Sequence, residues 1–506
     1  MALLKDVSAN SMKKPRLLLL FLLLASFLSA QTGQKQPPLP KPPATQTEQE
    51  QKPEKEHKIT PDEAKELFQS VDQILHFASR DTLLPVKHSV KKAMVSREEV
   101  EKYIGDKFKD DVDRIRFERS ELVLKKFGLL PRQFKLHDFL IKLLGEQVAG
   151  YYDEKKKTIN LLDWVALEMQ KPVMAHELTH ALQDQSFDLN KLMKKDEEIE
   201  KRGPEDPNAL IKIDEESTAR TAIMEGQAMI VFADYVLNSM DISCDPPDPC
   251  QIPTKRSVID FPKFVDLMLA QMDKEKGDSL LDNAPLLLRE ELIFPYSRGM
   301  KFIAQLLSSG GKQLAFTKVM ARPPRTSREI LQPEEYLAGR VVAPLLLPDF
   351  NFLKSDFEPF DAGAVGQLDV NILLKQYSED AVADRLSSAW RGGSYYAVGR
   401  KGVKPADPNS TSHIGLIYVS KWSDDQSARE FAKIYAAALP SRYKKLEHGM
   451  GGASGPDKYS TADGPVYIQQ NGSLVIAIES FDDATAQKLI QAVLTQPAAP
   501  VQAAEK

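Results

Sequence analysis

At 506 residues the chain is long enough for two or three domains, because single hydrophobic cores rarely grow beyond about 250–300 residues. Hydrophobic residues make up 42% and charged residues 27% of the chain, which is the ordinary mix of a globular protein. The formal net charge is −5 and no basic face is concentrated in the sequence, so nucleic-acid binding has no support.

The N-terminus has the layout of a secretory signal. Basic residues at 13–16 precede a short apolar run, Leu17–Ala30, which ends in small residues. A membrane span needs about 20 apolar residues, so this run is short for one. We expect cleavage of residues 1–30, which gives an exported protein, periplasmic or extracellular, with no stable membrane span. The alternative is an uncleaved anchor that tethers the protein to the envelope.

Ordered structure is expected from residue 59 onward. Residues 31–58 are rich in Pro and Gln, a composition that cannot bury apolar area, and should form a disordered linker. Capping-box patterns at Thr60–Glu63 and Ser96–Glu99 predict the starts of two helices. A strand is expected at Pro85–Val90, and amphipathic helix should continue to about residue 145.

A hairpin is predicted at Val148–Asp153 and Thr158–Leu162, with a polar turn between the strands. If its first strand lies along the edge of a cleft, an extended peptide could pair with it by β-augmentation. A buried strand without substrate contact is the alternative.

The segment Val173–Leu182 contains an H-E-x-x-H motif inside an apolar run that is typical of a helix. Residues four apart lie on one helix face, so His176 and His180 can direct their imidazoles toward a common centre. Glu177 stands beside the first histidine, where it can reach a metal-bound water. Zinc suits this set because it accepts imidazole nitrogen and can keep one position open for water. The alternative is a pair of core histidines with a chance glutamate between them.

A second helix, from about Asp214 to Leu237, carries the third candidate ligand. Glu225 lies in the apolar stretch Met224–Ala228, where burying an unpaired carboxylate would cost several kcal/mol. Gly226 and the neighbouring alanines would let another helix approach closely. We therefore predict that Glu225 is a metal ligand. The alternatives are the other acids of the same helix: Asp214, Glu215, Glu216 and Asp234.

A charged stretch, an aspartate and two cysteines follow the motif in the sequence. The charged stretch Lys191–Pro207 is expected to be a solvated excursion. Asp184, one turn beyond His180, either orients an imidazole or is a polar residue near a helix end. Cys244 and Cys250 either form a small loop disulfide, which an exported protein permits, or remain free thiols.

The motif and the second helix together resemble the gluzincin zinc metallopeptidases, in their peptidase-MA-like form. The matching residues are His176-Glu177-Leu-Thr-His180 and Glu225-Gly226-Gln-Ala228. The resemblance implies that His176, His180 and Glu225 bind zinc and that Glu177 is the general base. One departure is the spacing of 225 − 180 = 45 positions between the last histidine and the glutamate, which is longer than in compact thermolysin-like members.

Longer phrases are similar to a group of exported, poorly characterised bacterial peptidases. These phrases are Ala175–Gln185, Phe294–Tyr296 and Pro323–Pro333. The resemblance covers roughly residues 60–340. Tyr151, Tyr152 and Tyr296 are candidate donors to a developing oxyanion, and no pattern chooses among them.

The remaining sequence predicts more helices and then a change of character near Val341. Helices are expected at Phe261–Met272, Ile293–Leu307 and Lys312–Ala321. The later elements are helix Ala381–Trp390, strands Ser394–Arg400 and Ile414–Trp422, a helix from Ser423 to Leu439, a hairpin at Val466–Ile478 with a type I′ Asn-Gly turn, and a last helix from Asp482 to Leu494.

The expected fold class is α+β. A mainly helical, zincin-like catalytic domain with a small sheet should span residues 59–340, and a small two-layer α+β accessory domain should span residues 341–496. The expected function is an exported zinc-dependent endopeptidase that uses one zinc ion, a zinc-activated water and Glu177 to hydrolyse a protein or peptide. The alternative, from another class, is a non-catalytic secreted scaffold or binding protein with structural or vestigial zinc. The sequence does not predict the oligomeric state.

Overall fold

The computed structural model describes residues 58–107, 111–147, 150–239, 257–258, 260, 264–269, 279–444, 446–449 and 455–496. The expected signal peptide, residues 31–57 of the expected linker, and both cysteines lie outside these ranges, as do both ends of the helix expected at Phe261–Met272. Within the described residues, no helix is long and apolar enough to cross a membrane.

The described chain up to residue 337 is mainly helical and contains a small three-stranded sheet. Its elements are α1 (Pro61–Thr82), β1 (Lys91–Val95), α2 (Arg97–Lys107), α3 (Asp111–Phe127), α4 (Leu136–Gln147), β2 (Tyr151–Asp153), β3 (Thr158–Leu162), α5 (Leu167–Phe187), α6 (Leu189–Glu200), α7 (Pro207–Ser239), α8 (Leu286–Lys312), α9 (Val319–Ala321), α10 (Ser327–Leu331) and α11 (Pro333–Leu337). A π-helical segment, Gln313–Lys318, joins α8 to α9.

The two predicted capping boxes are confirmed. Thr60 and Glu63 cap α1 reciprocally, and Ser96 does the same with Glu99 at the start of α2. The strand expected at Pro85–Val90 is wrong, because β1 begins only at Lys91. The backbone N–H groups of Lys87 and His88 donate instead to the Gln185 side chain of α5, at 2.8 and 3.0 Å, so they are not available to a strand ladder.

The predicted hairpin is confirmed by the antiparallel pairing of β2 with β3, in which Tyr152 lies opposite Ile159. β1 joins the other side of β3 in parallel, which gives the order β1-β3-β2. β2 is therefore an edge strand of this sheet, and it lies against helix α5. The chain thus brings the edge strand to the helix that carries the H-E-x-x-H motif.

The stretch Lys191–Pro207 is exposed or half-buried at every residue but Met193, as predicted for a solvated segment, but most of it is helix α6 and not an irregular excursion. Leu189 and Met193 lie one turn apart on α6 and pack against Met224 of α7. The charged side chains of α6 occupy its other faces. α7 then begins at Pro207 and not near residue 214, with Asp206 accepting a hydrogen bond from the amide of Ala209 at 3.2 Å.

Helices α7 and α8 cross with almost no side chain between them. A Cβ atom added at Gly226 would lie 2.3 Å from backbone atoms of Gly299, and one added at Gly299 would lie 2.1 Å from the carbonyl oxygen of Ala222. These are closer than any real Cβ contact, so both positions require glycine. The predicted close helix approach at Gly226 is confirmed, and it fixes the part of α7 that carries Glu225.

The described chain from residue 357 onward is built on a seven-stranded antiparallel sheet. Its elements are β4 (Phe357–Ala364), α12 (Gln367–Tyr377), α13 (Asp380–Ser388), β5 (Trp390–Arg400), β6 (Ile414–Trp422), α14 (Asp425–Ala437), α15 (Leu439–Arg442), β7 (Glu447–Gly449), β8 (Asp457–Thr461), β9 (Gly464–Asn471), β10 (Leu474–Glu479) and α16 (Asp483–Thr495). The strand order is β4-β5-β6-β10-β9-β8-β7. The expected α+β class is confirmed.

Alternate residues of the central strands pack on opposite faces of this sheet. On β5, Tyr395 joins a large buried cluster that also contains Leu140, Phe302 and Trp422, whereas Tyr396 joins a second cluster beneath α16. The large cluster therefore contains side chains from both sides of residue 340. Polar contacts add to it, as where Ser120 of α3 donates to Asp361 of β4 at 2.9 Å.

The β9–β10 hairpin is confirmed, but its turn differs from the prediction. Asn471 pairs with Leu474, so the two loop residues are Gly472 and Ser473 and not Asn471 and Gly472. Gly472 has φ 57°, and neither Asn471 nor Ser473 has a positive φ. A type I′ turn needs a positive φ at both loop residues, whereas a type II′ turn needs it only at the first, where glycine is favoured. The φ angles of Gly472 and Ser473 therefore match type II′ and not the predicted type I′.

Candidate metal centre

Helices α5 and α7 bring three potential ligand atoms together in the interior. Nε2 of His176 lies 3.1 Å from Nε2 of His180 and 3.1 Å from Oε2 of Glu225, and Nε2 of His180 lies 3.3 Å from the same oxygen. The two imidazole rings are nearly perpendicular, at 87°. This group of buried side chains could hold a metal ion.

The separations of the three atoms fit a tetrahedral ion. With zinc–nitrogen and zinc–oxygen bonds of about 2.0–2.1 Å, neighbouring ligand atoms should lie roughly 3.3–3.4 Å apart. The observed separations of 3.1–3.3 Å agree with this to within a few tenths of an ångström. The donor set of two imidazole nitrogens and one carboxylate oxygen suits zinc among the divalent ions.

A chain of two buried glutamines fixes the tautomer of His180. The side-chain amide nitrogen of Gln183 donates to the carbonyl oxygen of Met224 at 3.0 Å and to Oε1 of Gln227 at 2.8 Å. Nε2 of Gln227 donates in turn to the carbonyl of Ala315, at 2.7 Å, in the π-helical segment. The two backbone carbonyls accept only, so they determine which way both amides point.

The consequence for His180 follows from this orientation. Gln183 presents its carbonyl oxygen to Nδ1 of His180 at 2.8 Å, so Nδ1 must carry the proton. In the neutral imidazole, Nε2 then has a free lone pair directed at His176 and Glu225. The hydrogen-bond chain therefore presets the histidine for metal binding, as partners behind a ligand usually do.

Glu177 is held by the edge strand of the small sheet. Its Oε2 accepts a hydrogen bond of 2.9 Å from the backbone N–H of Tyr152 in β2. The Glu177 side chain is buried, on the same turn of α5 as His176. This arrangement gives the carboxylate a fixed orientation beside the candidate ligands.

Asp184 does not orient an imidazole. It accepts a hydrogen bond from the hydroxyl of Tyr152 at 3.0 Å and forms an ion pair with Lys157. Burial, and then the negative charge of Asp184, raise the pKa of the Tyr152 hydroxyl, which keeps it protonated and able to donate. Tyr152 is thus attached to α5 twice, through its amide and through its side chain.

The three candidate tyrosines differ in what they contact. The ring of Tyr296, on α8, stacks at 21° to that of His176 with centroids 6.2 Å apart. The ring of Tyr151 stacks on Tyr103 at 5.3 Å, and the Tyr152 hydroxyl is used by Asp184. Of the three, Tyr296 is the one that contacts a candidate ligand.

The alternative acids of α7 are bound elsewhere. Asp214 accepts from the amide of Ala364 at 2.9 Å, and Glu215 accepts from the amide and hydroxyl of Ser327 at 2.9 and 2.8 Å. Asp234 accepts from the amide of Val258 at 2.6 Å and from the hydroxyl of Ser257 at 2.9 Å. Glu216 is not in the group of possible ligands. Glu225 is the acid that α7 brings to the histidines, in agreement with the prediction.

Sequence reasoning missed Gln183 and Gln227. Both are fully buried amides in apolar helical runs, one turn after His180 and two positions after Glu225. The signal that could have identified them is their polarity, because a buried amide must find hydrogen-bond partners.

Comparison with known families gives one partial match. A family model described as Domain of unknown function (DUF8575) matches residues 357–490, from the start of β4 to within α16. Comparisons with curated proteins and with solved structures find no match. The C-terminal sheet and its helices are thus similar to a family of unknown function, and the candidate metal centre lies outside the matched range.

Proposed function

We propose that the protein is an exported zinc metallopeptidase in which His176, His180 and Glu225 hold one zinc ion. The observation that carries this proposal is the convergence of three ligand atoms at separations of 3.1–3.3 Å, with His180 preset by Gln183. Three protein ligands also leave one tetrahedral position open, as catalytic zinc sites do. Export is supported by the signal-like sequence at residues 1–30.

In this proposal the chemistry is hydrolysis of a peptide bond in a protein or peptide. When bound, zinc supplies a Lewis acid that acidifies water and polarises a carbonyl group. Glu177 takes the proton from the attacking water and returns it to the leaving amine. The amide of Tyr152 holds one carboxylate oxygen of Glu177 during this transfer. Tyr296, beside His176, is the best-supported candidate donor to the oxyanion.

The deep burial of the candidate metal centre favours a second candidate function, a non-catalytic scaffold. The exposed fractions of the His176, His180, Glu225 and Glu177 side chains lie between 0% and 2%. A non-catalytic secreted scaffold with structural zinc needs no access to the metal, and this degree of burial suits it. Against the scaffold stands Glu177, because a closed structural site has no use for a base beside the first ligand.

Metal content and peptide cleavage test the proposal together. Purified protein should contain about one zinc per chain and should cleave a mixed peptide library, and a chelator should abolish cleavage. The Glu177→Gln variant should keep its zinc and its melting temperature but lose turnover. Glu168→Gln, an exposed change on the same helix, is the matched control and should keep full activity.

The outcomes separate the candidates. Zinc bound without cleavage of any library peptide, and with Glu177→Gln indistinguishable from wild type in every assay, would favour the scaffold. Protein without metal that still hydrolyses peptides in the presence of chelator would refute both candidates.

A further inference from the structure

A cavity lies apart from the candidate metal centre, where the start of α7 meets β4 and β5. Its volume is about 340 Å³, which is within the range of small-ligand pockets, roughly 300–1,000 Å³. Pro207 lines it, and Glu225 follows 225 − 207 = 18 residues later on the same helix. At about 1.5 Å per residue the two positions are about 27 Å apart along α7, so the cavity is a separate site.

The base of this cavity is aromatic. The rings of Phe350 and Tyr396 stack at 18°, with centroids 6.1 Å apart, and Phe357 of β4 also lines the cavity. Phe350 and Tyr396 are largely buried, so their positions are fixed by packing in the cluster beneath α16. Aromatic faces attract organic cations because their π-electron density is negative.

The rim of the cavity is acidic. Glu205, Asp349 and Glu358 line it, and all three are exposed. Lys354 also lines it, and in the described part of the chain this lysine forms no ion pair with any of the three carboxylates. Asp349 accepts hydrogen bonds from Asn351, whereas among the described residues no cationic side chain forms an ion pair with Glu205 or Glu358. The charged residues that line the cavity, three carboxylates and one lysine, therefore sum to a net charge of −2, and the guanidinium of Arg400 lies nearby, 5.4 Å from the centroid of the Phe357 ring.

The hydroxyl of Tyr396 is a further polar group on a residue that lines the cavity. Tyr396 is only 9% exposed, and among the described residues its hydroxyl makes no hydrogen bond. The preceding Tyr395, in contrast, donates to Asp361 at 3.0 Å. Burial, and then the charges of Glu205 and Asp349, raise the pKa of Tyr396 to about 12, so the hydroxyl stays neutral. The hydroxyl oxygen is not among the fully buried polar atoms, so a ligand in the cavity can reach it.

We propose that this cavity binds a primary alkylammonium group, the group that ends a lysine side chain. An ammonium group carries three N–H donors, which match the carboxylates of Glu205 and Glu358 and the hydroxyl of Tyr396. The alkyl stem lies against Phe350 and Phe357, as the stems of long cationic side chains do on apolar surfaces. A peptide lysine and a free alkylamine share this chemistry.

The test is isothermal titration of the full chain at low salt with three probes. Nα-acetyl-lysine-N-methylamide represents a peptide, n-butylammonium represents a free amine, and Nα-acetyl-norleucine-N-methylamide is the uncharged control. We expect saturable binding of one or both cations and none of the norleucine probe. The preferred cation identifies the source of the ligand. Binding should weaken as salt is raised and should persist with chelator present, so the result does not depend on the proposed peptidase activity.

Two variants and one control locate the binding. Glu205→Gln combined with Glu358→Gln should weaken binding of the preferred cation at least about fivefold, and Tyr396→Phe should weaken it by about 3–10-fold. Both variants preserve side-chain size, and melting temperatures check that they fold. Glu334→Gln, at an exposed helix start outside the cavity, should bind as wild type does. Failure of both cations to saturate, equal affinity for the norleucine probe, or wild-type affinity in both variants would overturn the proposal.

Discussion

Replacing Gln183 with leucine should remove the preset tautomer of His180 without touching a ligand. The leucine side chain is close to glutamine in size but has no carbonyl to accept the proton on Nδ1 of His180. Either nitrogen of the imidazole can then carry the proton, and the form with the proton on Nε2 cannot bind a metal there. Loss of a partner behind a metal ligand typically lowers metal affinity about 10–100-fold, and we expect that range for zinc.

The same helix offers a matched control in Gln170. Its side chain accepts from the amide of Leu162 at 3.0 Å and donates to the carbonyls of Leu162 and Val165 at 2.9 and 2.7 Å. Gln170 and Gln183 are both fully buried and each makes three hydrogen bonds with neighbouring groups. At about 0.5–1.5 kcal/mol per hydrogen bond, each leucine variant should lose roughly 2–4 kcal/mol of unfolding free energy.

The two leucine variants should therefore lose similar amounts of stability but differ in their affinity for zinc. Competition with a chromophoric chelator gives the zinc dissociation constant, and urea unfolding of the metal-free protein gives the stability. Gln183→Leu should lose both, whereas Gln170→Leu should lose stability alone. If the two variants bind zinc equally well, the hydrogen bond to Nδ1 of His180 has no role in metal binding and the reasoning fails.

Three other predictions follow from the structure. Glu225→Ala should lower zinc affinity at least about 10–100-fold while Glu216→Ala leaves it unchanged, and the reverse order would move the third ligand along α7. Burial beside Asp81 raises the pKa of Asp234 to about 8, so the native state keeps a proton that the unfolded chain releases above about pH 4. Unfolding free energy should thus fall by up to about 1.4 kcal/mol per unit as pH rises from about 4 to 8, and Asp234→Asn should flatten this slope in urea titrations; an unaltered slope would contradict it. Gly226→Ala should lower the unfolding free energy by at least about 1–3 kcal/mol, because the added Cβ would lie 2.3 Å from the backbone of Gly299. If this variant is as stable as wild type, helices α7 and α8 can move apart without cost.

The three candidate ligands could be predicted because each left a local signal. The four-residue spacing of His176 and His180 sets them on one helix face whatever the rest of the fold does. Glu225 stood out because a carboxylate in an apolar helix needs a partner, and the histidines supply it. The partner of a glutamine carries no comparable signal, since Gln183 can bind any nearby donor or acceptor. Its role emerges only when α7 and the π-helical segment are in place.

Two elements of the fold, β4 and α6, could not be predicted because their local sequence signals are weak. β4 was not predicted because Pro359 and an irregular register between Pro359 and Asp361 interrupt the alternation that identifies a strand. The sequence of α6 does not predict a helix because its charged residues obscure a stripe of only two buried apolar side chains, Leu189 and Met193. In both places tertiary packing selects a structure that local sequence only weakly favours.

The hydrogen bond between Tyr152 and Glu177 couples the pairing of a further strand with β2 to the position of the Glu177 carboxylate. An amide N–H has one hydrogen to donate, and Glu177 takes it from the outer side of the edge strand β2. An extended chain can pair with β2 at Tyr152 only if Glu177 gives up that amide. Strand pairing at Tyr152 and the present position of the Glu177 carboxylate therefore exclude each other. A chain that adds to this edge must either leave the amide of Tyr152 to Glu177 or displace the carboxylate.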